Sequence, residues 1–227
     1  MAATLLALDV RAASPADARF ADECARRVPA GRVVVRALPV TPVVDTALSY
    51  QELTRMAGEN SGHRWVLGLT RPTLRVEASW GFSGLSDPRS GRTCIRPALQ
   101  MTLRYDPVLV LVGREFVYDA CAYDFIFQHE MRHVDVHVRK LREVSLQLQS
   151  ELQDRLSGVT HVGDRETLER RLRAEVNDYW MPRAERALRE VREQHAAIDT
   201  PEEYGRARTV CEGRIARYLP RFTPADS

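Results

Sequence analysis

The stretch of this 227-residue chain with the clearest chemical content is Gln128-His129-Glu130-Met131-Arg132-His133, an H-E-x-x-H pattern. On a helix, positions i and i+4 stack on one face with Cβ atoms about 6 Å apart, and two imidazoles there converge on one Zn²⁺ at about 2.0–2.1 Å each. Glu130 stands one residue after the first of them, near such a metal without binding it. A base in that place takes a proton from a metal-held water. The pattern therefore assigns His129 and His133 as zinc ligands and Glu130 as the catalytic base of a zinc-dependent hydrolysis of peptide bonds. Phe125, Ile126 and Phe127 precede the motif and a periodic helical stretch follows it.

The third ligand is less evident. His137 continues the row, but on an unbroken helix it lies about 12 Å along the axis from His129. The turn by which metzincins bring in a third histidine needs a Gly where this chain has Val136. His137 therefore reads as a residue behind the ligands or facing solvent, and Asp135, on the face opposite His133, as structural. Glu175 is a further downstream ligand candidate, but with Asp178 it sits at the helical spacing of a solvated charged face. His195 continues an apolar row, and Tyr204 opens the last helix; each is a candidate third ligand or oxyanion partner. A phenol at Tyr204 would bind zinc or donate to the developing oxyanion, which places it among the catalytic residues. Glu203 is assigned instead to a capping box.

These side chains need a strand-then-helix scaffold. Gly31–Val40 and Arg64–Trp80 carry β-branched and aromatic runs bounded by Gly, Pro and Ser, which predicts short strands, and the segment 81–91 reads as a turn-rich loop. Residues 95–105 and 108–117 predict a hairpin turning at Asp106-Pro107. From Asp119 the texture becomes helical: Val134, Val138, Leu141, Leu148 and Leu152 form an apolar stripe that Ser157-Gly158 ends. A second helix starts near Asp164 as N-cap, with Leu168, Leu172 and Tyr179 on one face; Pro182 interrupts it, and Ala184, Leu188, Val191 and His195 continue inward. Thr200-Pro201-Glu202-Glu203 predicts an N-cap, a proline at N1 and a capping-box glutamate, opening a helix to about Tyr218. Strands before helices give an α+β class. The expected organisation is a tail or signal remnant over 1–20 and one zincin-like domain over 21–227, β-rich over 31–117 and helical over 119–218.

Four cysteines allow three pairings, and none forms a C-x-x-C pair. The Asp106-Pro107 turn would set residue 94 opposite residue 119 or so, within bridging reach of Cys121, which leaves Cys24 with Cys211 by elimination. Disulfides place a chain outside the reducing cytosol. The apolar run Thr4–Leu8 followed by Ala12, Ala13 and Ser14 has the look of the end of a secretory leader, although no basic stretch precedes it. Together these favour a periplasmic or secreted location. Lys plus Arg is 33 and Asp plus Glu is 31, a net charge of +2 that argues against a nucleic-acid partner. No apolar run approaches the ~20 residues of a transmembrane helix. Oligomeric state leaves no trace in the sequence.

Cys121-Ala122-Tyr123, His129-Glu130-x-x-His133-Val134-Asp135 and the long charged helical stretch after them resemble the secreted zinc-dependent proteases of bacteria, a largely uncharacterised family. Its members carry H-E-x-x-H at mid-chain and a Tyr-Asp-x-x-Thr-x-His-Gly segment near the C-terminus. Here Ile198-Asp199-Thr200-Pro201-Glu202-Glu203-Tyr204-Gly205 takes the corresponding place. Asp199 and Gly205 match, Tyr204 stands where the family has histidine and Glu202 where it has threonine. The resemblance covers roughly the second half of the chain, and only the zinc motif is specific. It implies a zinc metallopeptidase acting on a peptide or protein substrate. The alternatives are a catalytically inactive, disulfide-stabilised envelope protein that binds a partner through its helical half, and a zinc amidase acting on the cell wall.

Overall fold

The computed structural model describes residues 14–58 and 65–219; the leader-like run at the start of the chain lies outside them. The α+β class holds. Among the described residues five strands, β1 (Val33–Ala37), β2 (Pro42–Asp45), β3 (Gly68–Ser86), β4 (Thr93–Val112) and β5 (His161–Gly163), form one sheet in which the other four all pair with β4. β2 lies parallel to β4, Pro42–Asp45 against Val108–Leu111, and β5 antiparallel, His161–Gly163 against Thr93–Ile95.

β3 and β4 are longer than the sequence suggested, for two local reasons, while the strand expected over Gly31–Val40 is confined to Val33–Ala37. Along β3 the exposed positions Arg71, Thr73, Arg75, Glu77 and Ser79 alternate with partly buried ones, and this period-2 pattern runs on into the supposed loop as far as Ser83, the strand itself to Ser86. Gly84 belongs to the strand, because a Cβ there would stand 2.1 Å from the carbonyl oxygen of Cys94. The turn is confined to 87–92, where the Asp87 amide donates to the Arg92 carbonyl and Gly91 takes φ +69°. The expected hairpin at Asp106-Pro107 does not form either: both residues lie inside β4. They are two consecutive exposed positions at which the buried-outward alternation slips by one, a place where a strand tolerates proline.

That continuity overturns the expected disulfide. With no turn at 106–107, Cys94 and Cys121 are not cross-strand neighbours; the bridges are Cys24–Cys94 and Cys121–Cys211. Cys24 comes from α1 (Pro15–Arg27), a helix started by the Ser14 cap and Pro15. Neither α1 nor α2 (Tyr50–Ala57), which opens on a full Ser49–Glu52 capping box, stood out by apolar periodicity, since α1 buries only Cys24 and α2 only Tyr50 and Leu53. The two bridges point to an oxidising, extracytoplasmic compartment. Among the described residues no helix is long and apolar enough to cross a membrane.

The motif helix α3 spans Ala120–Leu156. Asp119 starts it, accepting the amides of Cys121 and Ala122 at 3.1 Å, and Gly158 at φ +76° follows its end. Val134, Leu141, Leu148 and Leu152 are buried as expected, but Val138 is exposed and the stripe runs instead through His137 and Val144. Asp164 caps α4 (Arg165–Glu175), and a π-turn over Val176–Trp180 separates it from α5 (Met181–Arg189) just before Pro182. In that turn Val176 and Trp180 face inward and Tyr179 outward, against expectation. Short α6 (Arg192–Ala196) leads to α7 (Pro201–Thr209) and α8 (Arg214–Tyr218). The single last helix expected to reach Tyr218 breaks between them, where Cys211 and Glu212 take φ of 55° and 56°.

Contacts gather the chain into two compact units. One comprises the chain up to Val35, Ala78–Met101 and Gln147–Pro182. Its core includes Cys24, Val28 and Cys94 with Phe20, Leu85 and Val162 against them. The buried Arg96 guanidinium donates there to the carbonyls of Ala25 in the last turn of α1, of Val28 at its C-cap and of Gly158 just after α3. The other comprises Arg36–Glu77, Thr102–Leu146 and the chain from Arg183 on. Leu53, Leu103, Val108, Val110, Phe116, Leu188 and Ile215 are fully buried in it. The candidate site lies wholly within this second unit.

Candidate metal centre

Helical spacing puts His129 and His133 on one face of α3, and the loop between α6 and α7 brings Asp199 against them. Asp199 Oδ1 lies 3.0 Å from His129 Nε2 and 3.1 Å from His133 Nε2, and the two nitrogens are 3.2 Å apart. Ligands at about 2.0–2.1 Å from one tetrahedral ion stand about 3.3 Å from each other. The three atoms thus form a triangle of the size that one face of such a site requires, and His129, His133 and Asp199 are a group able to hold a metal ion.

Partners behind the imidazoles fix their orientation. His129 Nδ1 faces Arg132 Nη2 at 2.9 Å and Glu203 Oε1 at 3.4 Å, and Arg132 and Arg206 both pair with that carboxylate. His133 Nδ1 faces His195 Nδ1 at 2.8 Å. Glu203 thus departs from its expected task. Thr200 does cap α7 by accepting the Glu203 amide, but the Glu203 side chain turns to His129 and Arg132 rather than back to the cap.

Electrostatics follow from burial set against these contacts. For Asp199, burial works to raise the carboxyl, but hydrogen bonds from His129 and His133 win and hold it well below the ordinary carboxylate range. For His129, burial disfavours the cation, yet the Asp199 bond and the nearby Glu130 and Glu203 together raise it. His137 is pushed down to about 4 by burial and by the neighbouring His195 and His133. It is a buried, neutral ring packed on Tyr105 at 4.9 Å and His195 at 4.8 Å, behind the ligands as expected.

Glu130 is almost fully buried beside the triad, and burial raises its pKa. Thr70 on β3 donates to its Oε2 at 2.8 Å. β3 begins with Gly68 because a Cβ there would stand 2.7 Å from Glu130 Cγ and 2.8 Å from Oε1. A cavity of about 270 Å³ opens on Glu130 and the triad, with Trp65–Leu69, Phe125, Ile126 and Tyr204 in its walls.

The structure therefore brings His129, Glu130, His133, His195 and Tyr204 to one cavity. His195 stands behind His133, outside the triad, and Tyr204 lines the wall. Glu175 is engaged elsewhere: Arg155 grips it through two bonds of 2.8 and 2.7 Å, and Trp180 Nε1 also donates to it. Asp178 and Asp135 are exposed. Sequence reasoning did not assign Asp199 as a ligand, although its match to the Asp of the resembled C-terminal segment marked it.

The stretch bearing Asp199 and Glu203 is tied down chiefly by polar contacts, since α7 buries no residue. Cys121–Cys211 anchors its far end to the start of α3, helped by Arg214 on Asp119 and Tyr218 against Phe116. Replacing both cysteines by Ser opens a loop of 90 residues and should cost about 2–4 kcal/mol, read as a lower denaturant midpoint at constant slope. An unchanged midpoint would mean that the bridge adds nothing to folding. No protein-family model, no curated protein and no solved structure matches this chain.

Proposed function

We propose that the protein is a zinc-dependent peptidase, periplasmic or secreted. The observation that carries this reading is the triangle of His129 Nε2, His133 Nε2 and Asp199 Oδ1 with Glu130 buried beside it on the same cavity. Three protein ligands of imidazole and carboxylate type, facing a cavity, are the pattern of a catalytic rather than a structural zinc site. Zinc, when bound, would supply Lewis acidity, lowering the pKa of water and polarising a carbonyl.

The chain's own groups do the rest. With Oε2 engaged by Thr70, Glu130 Oε1 accepts the proton of the attacking water, and the raised pKa brings that carboxylate nearer to the neutral range in which a general base works best. Thr70, bonded to Oε2, fixes the direction of the carboxylate. Tyr204, in the cavity wall, donates its hydroxyl to the oxyanion that develops on the scissile carbonyl. β3, which begins at the cavity with Gly68 and pairs only with β4 among the described strands, offers an edge along which an extended peptide can lie.

The test is metal content. Protein grown in zinc-replete medium should purify with about one zinc per chain, and His129→Ala or His133→Ala should strip it. A wild-type preparation without zinc overturns the reading. Zinc without cleavage of any peptide or peptidoglycan substrate moves the function to a non-catalytic envelope protein, and cleavage confined to peptidoglycan amides moves it to a cell-wall amidase.

A further inference from the structure

We infer that His195 is a positioning residue: its Nδ1 accepts the Nδ1 proton of His133 and so locks that ligand in the tautomer and ring orientation that metal binding needs. The inference rests on the zinc reading above. His133 presents Nε2 to the triad, 3.1 Å from Asp199 Oδ1, and Nδ1 to His195 at 2.8 Å. A neutral imidazole with a free lone pair on Nε2 carries its proton on Nδ1, which makes His133 Nδ1 a donor. The only assignment that turns the 2.8 Å contact into a hydrogen bond then leaves His195 Nδ1 unprotonated and its Nε2 protonated. Ligating histidines almost always donate their second nitrogen in this way, commonly to a carboxylate or carbonyl; here another histidine takes that part.

His195 is built for the task through its backbone as well. It sits at the end of α6, where its carbonyl accepts the amides of Ile198 at 2.9 Å and Asp199 at 3.0 Å. One residue therefore holds one ligand, His133, by its side chain and the backbone of another, Asp199, by its carbonyl. Its backbone is held by the hydrogen bond that its N–H donates to the Val191 carbonyl, and its ring packs on the buried ring of His137, 4.8 Å away between centroids. The two motif histidines thus have different surroundings, His129 the charged groups of Arg132 and Glu203 and His133 a neutral ring.

The experiment compares wild type with His195→Asn and His195→Phe, zinc affinity being measured by competition with a chromophoric chelator. Asn places a carbonyl oxygen close to where Nδ1 stood and keeps the acceptor; Phe keeps the ring's bulk and removes it. Expected is a 10–100-fold weaker zinc affinity in His195→Phe, the usual effect of losing a partner behind a ligand, with recovery to near the wild-type value in His195→Asn. Equal affinity in all three proteins, or an equal loss in both variants, overturns the inference, the second result leaving His195 a purely packing role. A readout that needs no variant is the ring nitrogen shifts of the zinc-loaded wild type, where His133 Nδ1 should be protonated and His195 Nδ1 bare; the reverse overturns the assignment. A wild type that binds no zinc removes the functional reading itself, an outcome distinct from these.

Discussion

Asp199→Ala should leave the chain folded and reduce zinc affinity by more than ~100-fold, beyond the 10–100-fold that follows loss of a group behind a ligand. The motif alone offers two imidazoles, and two nitrogens do not make a stable tetrahedral site. The third atom is Asp199 Oδ1, 3.0 and 3.1 Å from the two Nε2 atoms. Its charge matters as much as its position, because a neutral site of two imidazoles gives nothing to balance a dication. Asp199→Asn, which retains the oxygen and loses the charge, should fall between Ala and wild type. Folding is not expected to suffer, because Asp199 is a loop residue before the Thr200 cap and its side chain is 36% exposed. Titration of the metal-free proteins with zinc reads the result. If the Ala variant binds zinc as tightly as wild type, the third ligand lies elsewhere, and Tyr204 in the cavity wall becomes the next residue to change.

The contrast between Asp199 and the motif shows what the sequence could convey. His129, Glu130 and His133 are legible because their geometry is local: a helix fixes the spacing, and spacing alone specifies the chemistry. Asp199 lies 70 residues from His129, on a loop that only the tertiary fold brings to α3. Aspartate before a helix cap is ordinary in any turn, so only its match to the resembled C-terminal segment, and no local spacing, marked it. Glu203 was misassigned for a related reason. The pattern Thr-Pro-Glu-Glu satisfies the rule for a capping box, yet a carboxylate at N3 is equally free to swing outward, and Arg132 and His129 outcompete the cap. The disulfides failed at a single junction. Pro107 reads as a turn in isolation, but a strand accepts it where the alternation slips, and with the turn gone the pairing changes entirely. Helix starts at Asp164 and Thr200 were legible because a cap bonds to an amide three residues on.

Glu130→Gln should keep zinc bound while hydrolysis of a general protein substrate falls by about 10²–10⁴. Glu130 is outside the triad, and its Oε2 is taken by the Thr70 hydroxyl at 2.8 Å, so the amide can occupy the same space and still accept that bond through its oxygen. Gly68 leaves room for a planar group of that size. What changes is basicity alone: an amide has no lone pair able to hold the water's proton at neutral pH. Affinity for substrate should change little, which assigns the loss to kcat. Burial gives the substitution a second consequence. Replacing a buried carboxylate, whose charge is disfavoured there, by a neutral amide should leave the metal-free fold at least as stable as wild type, visible as an equal or higher denaturant midpoint. Equal stability and equal zinc content with a large loss of rate would isolate proton transfer as the function of this side chain. A variant that cleaves as fast as wild type would remove Glu130 from the chemistry, and a variant that loses its zinc would make it a support of the metal site instead.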